Sequence, residues 1–206
     1  QLPEIKNAEI TEILDVSPAY IFYDETQPDS TLLNRKNLIG TTNWLVNVDK
    51  RLTLRQAMPH IIFLQDKKRN AEVHKNENAK NYFTCNDISI SNLGFLEFTD
   101  VNYEIEIDSY KNDEPTNDEI RTVYIHFFSN NFFSMTEFFD GKQTDETMLI
   151  ERYFNEDYFD SYRKNKNIIY LSFDKRLDFQ NYIDLKYKVN KFTNEMTEIS
   201  SDEFIY

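Results

Sequence analysis

The alternation of apolar and polar positions predicts a group of strands in the second half of the chain. Thr122–Phe128 and Phe132–Phe139 are rich in aromatic and β-branched residues. They predict a hairpin joined at Ser129–Asn131, where Asn tolerates the positive φ of a tight turn. Asp140-Gly141 predicts a second turn. The run Ile168–Phe173 is apolar between polar neighbours, which indicates a buried strand.

Two helices are predicted among these strands. The first runs from Thr144 to Arg163, with Thr144 as its N-cap and apolar residues at three- and four-residue spacing. The second is capped by Asp178, and its apolar stripe consists of Tyr182, Leu185, Val189 and Phe192. The chain ends with a short strand at Glu203–Tyr206. The second half is therefore predicted to have the order β-β-α-β-α-β.

The first half has a less regular pattern. Ala19–Asp24 and Trp44–Val48 are predicted strands, and Gln1–Glu12 is a polar lead-in. A helix is predicted from Thr53, whose capping box is completed by Gln56, and Pro59 inside this helix should bend it. Further strands are predicted at Tyr82–Thr84, Leu93–Phe98 and Val101–Ile107.

A polar, acidic segment divides the two halves. Ser109–Glu119 contains Pro115 and has the composition of a linker or a long surface loop. We therefore predict an α+β protein with two β-α-β-type modules. An N-terminal, divergent module covers residues 1–112, and the second module covers residues 120–206.

A four-residue motif occurs once in each half. Asp49-Lys50-Arg51-Leu52 is repeated as Asp174-Lys175-Arg176-Leu177, and each copy follows an apolar strand and precedes a capped helix. The repeat favours two related modules. One interpretation is a charged binding lip at the end of a strand. The other is a solvated connection between strand and helix in which the Leu acts as a hydrophobic staple.

Composition and charge restrict the class of partner. The chain has 206 residues, 40% of them apolar, with 17 Phe and 13 Tyr, which is enough to form a core. The net charge of −13 repels phosphate backbones, so nucleic acid is not expected as a partner. With 3 Gly, the chain has few loops of the kind that cradle phosphates. No apolar run reaches the length of a membrane span. Since the chain begins at Gln1 and not at Met, we expect that a segment was removed ahead of it, for which a signal and an anchor are candidates.

Residues that could carry out catalysis or bind metal are scattered. His60, His74 and His126 are far apart in the sequence, His126 is predicted as a half-buried strand residue, and the single Cys85 is predicted to be an inert thiol. Neither a P-loop nor a nucleophile elbow is present. We therefore predict no catalytic residue, no metal and no cofactor, and a protein that acts by binding. An enzyme that uses two carboxylates remains an alternative.

The second half resembles a family of bacterial envelope proteins. A hairpin with Asp140-Gly141, a helix, a strand that ends in Asp174-Lys175, a helix and the strand Phe204–Tyr206 follow one another from Thr122 onward. This order is similar to the periplasmic domain of the biopolymer-transport proteins ExbD and TolR. Leu2-Pro3-Glu4 is similar to the Leu-Pro stretch that follows the membrane anchor of the family. The first half shares only its strand, Asp-Lys pair and helix, and would be a divergent second copy or an insertion.

The resemblance implies a function in transport driven by the proton-motive force. The chain would be the periplasmic domain of a stator subunit, anchored in the inner membrane by a segment that this sequence lacks. It would form a homodimer and bind a TonB-like or ExbB-like protein, with peptidoglycan as a further candidate partner. The transmembrane helix of the family, with its proton-coupling acidic residue, is absent from this sequence. An exported lipoprotein or secreted module that binds a glycan or a protein is the alternative.

The predicted partner-binding residues lie at the end of the second module. Phe204, Ile205 and Tyr206 are expected to form an exposed sheet edge that pairs with a strand of the partner. The adjoining charged lip consists of Asp174, Lys175 and Arg176.

Overall fold

The computed structural model describes residues 1–71, 76–105, 119–150, 165–191 and 195–206. These residues form twelve strands and two α-helices, with two sheets that each contain parallel and antiparallel pairs, so the predicted α+β class is confirmed. The chain folds as two compact units. The first comprises Gln1–Asp100 with Asp178–Asp184, and the second comprises Val101–Leu177 with Leu185–Tyr206.

The first unit is a six-stranded sheet with one long helix. Four of its strands are ordered β3-β2-β4-β5, where β2 pairs antiparallel with β3, and the β2/β4 and β4/β5 pairs are parallel. β5 also pairs with β1 and β6. The elements are β1 (Glu4–Ile5), β2 (Val16–Tyr23), β3 (Thr31–Asn34), β4 (Asn43–Val48), α1 (Leu54–Arg69), β5 (Asn81–Asp87) and β6 (Asn92–Glu97).

Helix α1 begins as its sequence predicts. The backbone N–H of Thr53 donates to Oε1 of Gln56 at 2.9 Å, which satisfies a donor at the start of the helix. The helix then runs through Pro59 to Arg69 as one continuous element. Its apolar stripe packs into the core, where Leu54, Ala57, Met58 and Ile61 are fully buried.

The segment predicted as a polar lead-in contains a strand. Glu4 and Ile5 pair in parallel with Asn86 and Asp87 of β5. Because Ile5 is buried in the core, this short strand has an apolar anchor that a polar segment of this composition does not suggest.

The second unit is also a six-stranded sheet. Its strand order is β10-β9-β8-β11-β12-β7, in which the β8/β9 and β9/β10 pairs are antiparallel and the other three pairs are parallel. The helix α2 contributes its first residues to the first unit and its remaining residues to the second. The elements are β7 (Asn102–Ile105), β8 (Arg121–Phe127), β9 (Phe132–Phe139), β10 (Lys142–Leu149), β11 (Asn167–Phe173), α2 (Phe179–Asn190) and β12 (Thr197–Ile205).

The turn after β9 reverses the direction of the chain. Asp140 and Gly141 both have positive φ, at 53° and 66°, as a tight hairpin turn requires, so the predicted turn is confirmed. The chain returns along β9, with Thr144 opposite Glu137. The prediction of a helix from Thr144 is therefore wrong over its first six residues, because pairing with β9 satisfies their backbone groups in a strand. Residues 151–163 of that predicted helix and most of the predicted linker lie outside the described residues.

The C-terminal strand is not an exposed edge. Glu203, Phe204 and Ile205 pair with β11 on one side and with β7 on the other. The predicted open edge at Phe204, Ile205 and Tyr206 is therefore wrong for the two strand residues, Phe204 and Ile205. The reason is long-range pairing, since β7 lies about a hundred residues earlier in the chain.

Each unit has an aromatic core. In the first unit, the ring of Phe83 stacks on Phe98 with centroids 3.8 Å apart and meets Phe179 edge to face. In the second, Phe127 stacks on Phe173 with centroids 5.2 Å apart. In the part of the chain that is described, neither helix combines the length and the hydrophobicity needed to cross a membrane.

Candidate functional site

The repeated motif occupies the same place in both sheets. Directly after β4, the backbone N–H of Asp49 donates to the carbonyl oxygen of Ile21 in β2 at 2.9 Å. Directly after β11, the N–H of Asp174 donates to the carbonyl oxygen of Phe127 in β8 at 2.8 Å. Each aspartate therefore continues the ladder between the two parallel strands by one bond, at their carboxyl ends.

In each copy a buried carboxylate holds an exposed guanidinium. Arg51 donates from Nε and Nη2 to the two oxygens of Asp49, at 2.9 and 2.8 Å. Arg176 donates from Nε to Asp174 Oδ1 at 2.9 Å and from Nη2 to Oδ2. Asp174 is 4% exposed, whereas the Arg176 side chain is 83% exposed. The buried carboxylate thus fixes the position of the solvent-exposed guanidinium.

The remaining motif residues close the turn into the helix. The N–H of Leu52 donates to the Asp49 carbonyl at 3.1 Å, and that of Leu177 donates to the Asp174 carbonyl at 3.0 Å. Both leucines are buried. Asp178 then caps α2 by accepting from the N–H of Asn181 at 2.7 Å. The burial of both leucines is what the staple interpretation of the motif requires, and the capping predictions for both helices are confirmed.

The ion pair keeps both carboxyl groups charged. The Arg176 guanidinium, against the opposing effect of burial, lowers the pKa of Asp174 below its ordinary value. Burial acts to raise the pKa of Asp49, but hydrogen bonds from Arg51 and from the amino group of Gln1 outweigh it and the pKa is again low. Both copies of the motif therefore present one arginine held by the aspartate and one lysine. Lys175 is exposed, and Lys50 contacts Glu4 at 2.7 Å.

An aromatic cluster adjoins the motif of the second unit. Nδ1 of His126 lies 2.5 Å from Oγ of Ser172, and the imidazole stacks on the ring of Tyr206 with centroids 3.9 Å apart. Burial lowers the pKa of His126, although the Asp174 carboxylate partly opposes this. The Ser172 hydroxyl orients the imidazole through this contact. Because Ser172 is fully buried, its hydroxyl is not accessible to a substrate.

The structure brings together four of the six predicted binding residues. Asp174, Lys175, Arg176 and Tyr206 lie at the carboxyl ends of β11 and β12, where the N–H of Lys175 donates to the carbonyl of Tyr206 at 2.9 Å. We call these four residues with His126 the lip of the second unit. Ile205, 1% exposed, points into the core, and Phe204 is half-buried within the sheet.

The sequence pattern predicted a half-buried strand position for His126, which is confirmed, but did not place this residue in the site. The register of the β8/β11 pair is the signal that could have identified His126 as part of the site. His126 lies opposite Ser172, two residues before Asp174, once β8 and β11 are paired.

Comparison of the chain with models of protein families, with curated proteins and with solved structures gave no match. Function is therefore inferred from the topology and from the residues of the lip.

Proposed function

We propose that this chain is the periplasmic, partner-binding part of an ExbD/TolR-like stator subunit. In this proposal it is anchored to the inner membrane by another segment, and it acts in transport driven by the proton-motive force by binding a TonB-like or ExbB-like protein. The observation that carries the proposal is the order of elements in the second unit. The β8–β9 hairpin, the strand β11 followed by Asp174-Lys175, helix α2 and strand β12 occur in the order on which the resemblance rests. Strand β10 departs from that order, because it occupies the first residues of the helix expected between the hairpin and β11.

The first unit supports the proposal because it repeats this arrangement. Its strands β3-β2-β4-β5 correspond to β9-β8-β11-β12, with the same antiparallel pair followed by two parallel pairs. The motif follows the third strand of each series and precedes a helix. Two separate segments that share strand order, pairing directions and a four-residue connection support duplication of a single module.

The lip has the properties of a binding surface. It lies at the carboxyl ends of parallel strands, where open α/β sheets commonly bind their ligands. The Arg176 guanidinium is held by Asp174, so less side-chain entropy is lost when it contacts a partner. Together with the exposed Lys175 it offers two cations to acidic groups of that partner.

The test uses one lysine substitution in the full-length protein in its native cells. We expect Lys175→Glu to weaken cross-linking to the partner and to slow transport, because it reverses the exposed charge of the lip. Lys142→Glu is the matched control, since Lys142 is an exposed cation of the same unit in the β9–β10 hairpin. A photo-reactive residue introduced at position 175 or 142 identifies the captured protein by mass spectrometry.

Arg176 is unsuitable for this test. Its removal leaves the buried Asp174 carboxylate without its ion pair, so a lower melting temperature would obscure any change in binding. Equal capture from positions 175 and 142, or unchanged transport in Lys175→Glu, would contradict the proposal.

A further inference from the structure

The first unit contains a cavity that the proposed function does not use. Its volume is about 780 Å³, within the range of small-molecule sites, and it lies between the last turns of α1 and the loop that precedes β4. Leu38, Trp44 and Phe63 line it with apolar surface, and Asp66, Lys67 and Lys68 line it with charge. Among the described lining residues, two carry an ammonium group and one carries a carboxylate.

Lys68 is the unusual member of this lining. It is 8% exposed, and its ammonium donates to the backbone carbonyls of Lys80 at 2.7 Å and Thr42 at 3.3 Å. Nζ also lies 5.1 Å from the centroid of the Trp44 ring. Among the described residues no carboxylate lies within ion-pair distance of it. An ammonium buried without a counter-charge is costly, and an anion bound in the cavity would offset that cost.

The apolar side of the cavity is incompletely covered. Phe63 is 44% exposed at its mouth, whereas Trp44 is 2% exposed at its wall and donates its indole N–H to the Ile39 carbonyl at 2.8 Å. An exposed aromatic ring beside a buried one forms a surface that an aliphatic chain could cover.

We propose that this cavity binds a small amphipathic carboxylate, whose carboxylate pairs with Lys68 and whose apolar body lies against Trp44 and Phe63. The proposal goes beyond the proposed function and does not depend on it, because none of the cavity residues belongs to the lip. Burial lowers the pKa of Lys68 to about 8, so the ammonium is largely protonated near neutral pH and available for pairing.

Trp44 is the only tryptophan of the chain, so intrinsic fluorescence reports directly on the cavity. The purified chain is titrated with decanoate and, as the neutral matched ligand, with decanol, both below their aggregation concentrations. We expect a saturable change in Trp44 fluorescence with decanoate and affinity about tenfold weaker for decanol, since a charge-assisted bond to Lys68 is lost.

Two variants separate the charge from the apolar contact. Lys68→Met, which keeps length and removes charge, should weaken decanoate binding about tenfold and leave decanol binding unchanged. Lys67→Met is the matched control, because Lys67 is exposed and its loss should change affinity by less than about threefold. Phe63→Ala, a change at an exposed side chain that leaves the core intact, should weaken binding of both ligands.

The pH dependence adds an independent readout. Decanoate affinity should fall as pH rises through about 8, where Lys68 loses its proton, whereas a surface lysine would keep its charge up to roughly 10.4. Absence of a saturable Trp44 response to decanoate would overturn the proposal. Equal affinities for decanoate and decanol, or unchanged decanoate binding in a folded Lys68→Met variant, would overturn it as well.

Discussion

At the scale of single residues, the two units place different side chains at equivalent positions of their cores. Lys186 of α2 and Glu203 of β12 form an ion pair and are 5% and 0% exposed. In the first unit, Ile61 lies as far after the repeated motif as Lys186 does in the second. Phe83 holds the position in the strand register that corresponds to Glu203. Both residues are fully buried. A buried ion pair therefore stands in one unit where apolar side chains stand in the other.

This difference predicts an asymmetry between single and double substitutions. Lys186→Met should destabilise the protein by about 3–5 kcal/mol, because it removes the Lys186 ammonium from the buried Glu203 carboxylate. Lys186→Met combined with Glu203→Leu should be close to neutral or stabilising by about 1–4 kcal/mol. Chemical denaturation of the wild type and the two variants measures both values. Equal destabilisation by the single and double changes would contradict the prediction.

His126 predicts a pH dependence at the lip. Burial lowers the pKa of His126 below its ordinary value of 6.5, although Asp174 partly opposes this. The unfolded chain therefore binds the proton more tightly, and stability falls as the pH drops below about 6.5, until the lower folded pKa is passed. We expect the His126 ring resonances to titrate below pH 6.5 by NMR. A midpoint at or above 6.5 would show that burial does not control this imidazole.

At the scale of elements, two of the three glycines have a structural reason. Gly141 has φ of 66° in the β9–β10 turn, and a Cβ there would meet nothing within 4 Å. A Cβ on Gly94 of β6 would lie 2.5 Å from Cβ of Ala8 and 2.9 Å from Cδ1 of Ile5. Gly40 has neither constraint. The first glycine is therefore required by conformation and the second by close packing against the N-terminal segment.

Alanine substitutions at the three glycines should differ in their cost to stability. Gly141→Ala is expected to cost about 1 kcal/mol of unfolding free energy, since an L-residue is strained at positive φ. Gly94→Ala should cost more, on the order of 1–3 kcal/mol, because Ala8 and Ile5 must move. Gly40→Ala serves as the control and should be neutral or slightly stabilising. Thermal unfolding measures all three, and a neutral Gly94→Ala would show that β1 is not held against β6.

At the scale of the whole molecule, the repeated connection predicts equal contributions from the two units. Asp49→Asn and Asp174→Asn each remove the charge that anchors an arginine at the same point of a sheet. Each should cost on the order of 1–3 kcal/mol at pH 7. Because both folded pKa values are lowered, the losses relative to wild type should shrink as pH falls below about 4, where the carboxylates of the unfolded wild type begin to bind protons while the folded ones are still charged. Denaturation at pH 7 and at low pH tests this. A large cost at one site and none at the other would contradict the structural equivalence.

The sequence predicted those features whose causes are local. The DKRL repeat, the caps at Thr53 and Asp178, and the Asp140-Gly141 turn depend on neighbouring residues, and the structure contains each of them. Cys85, predicted to be inert, is fully buried, and burial raises the pKa of its thiol to about 12. Short-range hydrogen bonds and dihedral preferences act within a few residues, so one sequence is enough to recognise them.

Tertiary structure decided the features that depend on pairing between distant segments. Thr144 belongs to a strand because β9 lies beside it, and Phe204 lies in an interior strand of the sheet because β7 pairs with β12. His126 meets Ser172 and Tyr206 only through the register of three strands, and Lys68 meets Trp44 only when α1 packs on β4. Local periodicity carries no information about which strand pairs with which. By itself, the sequence therefore determined the fold class and the motif, and packing determined the edges, the lip and the cavity.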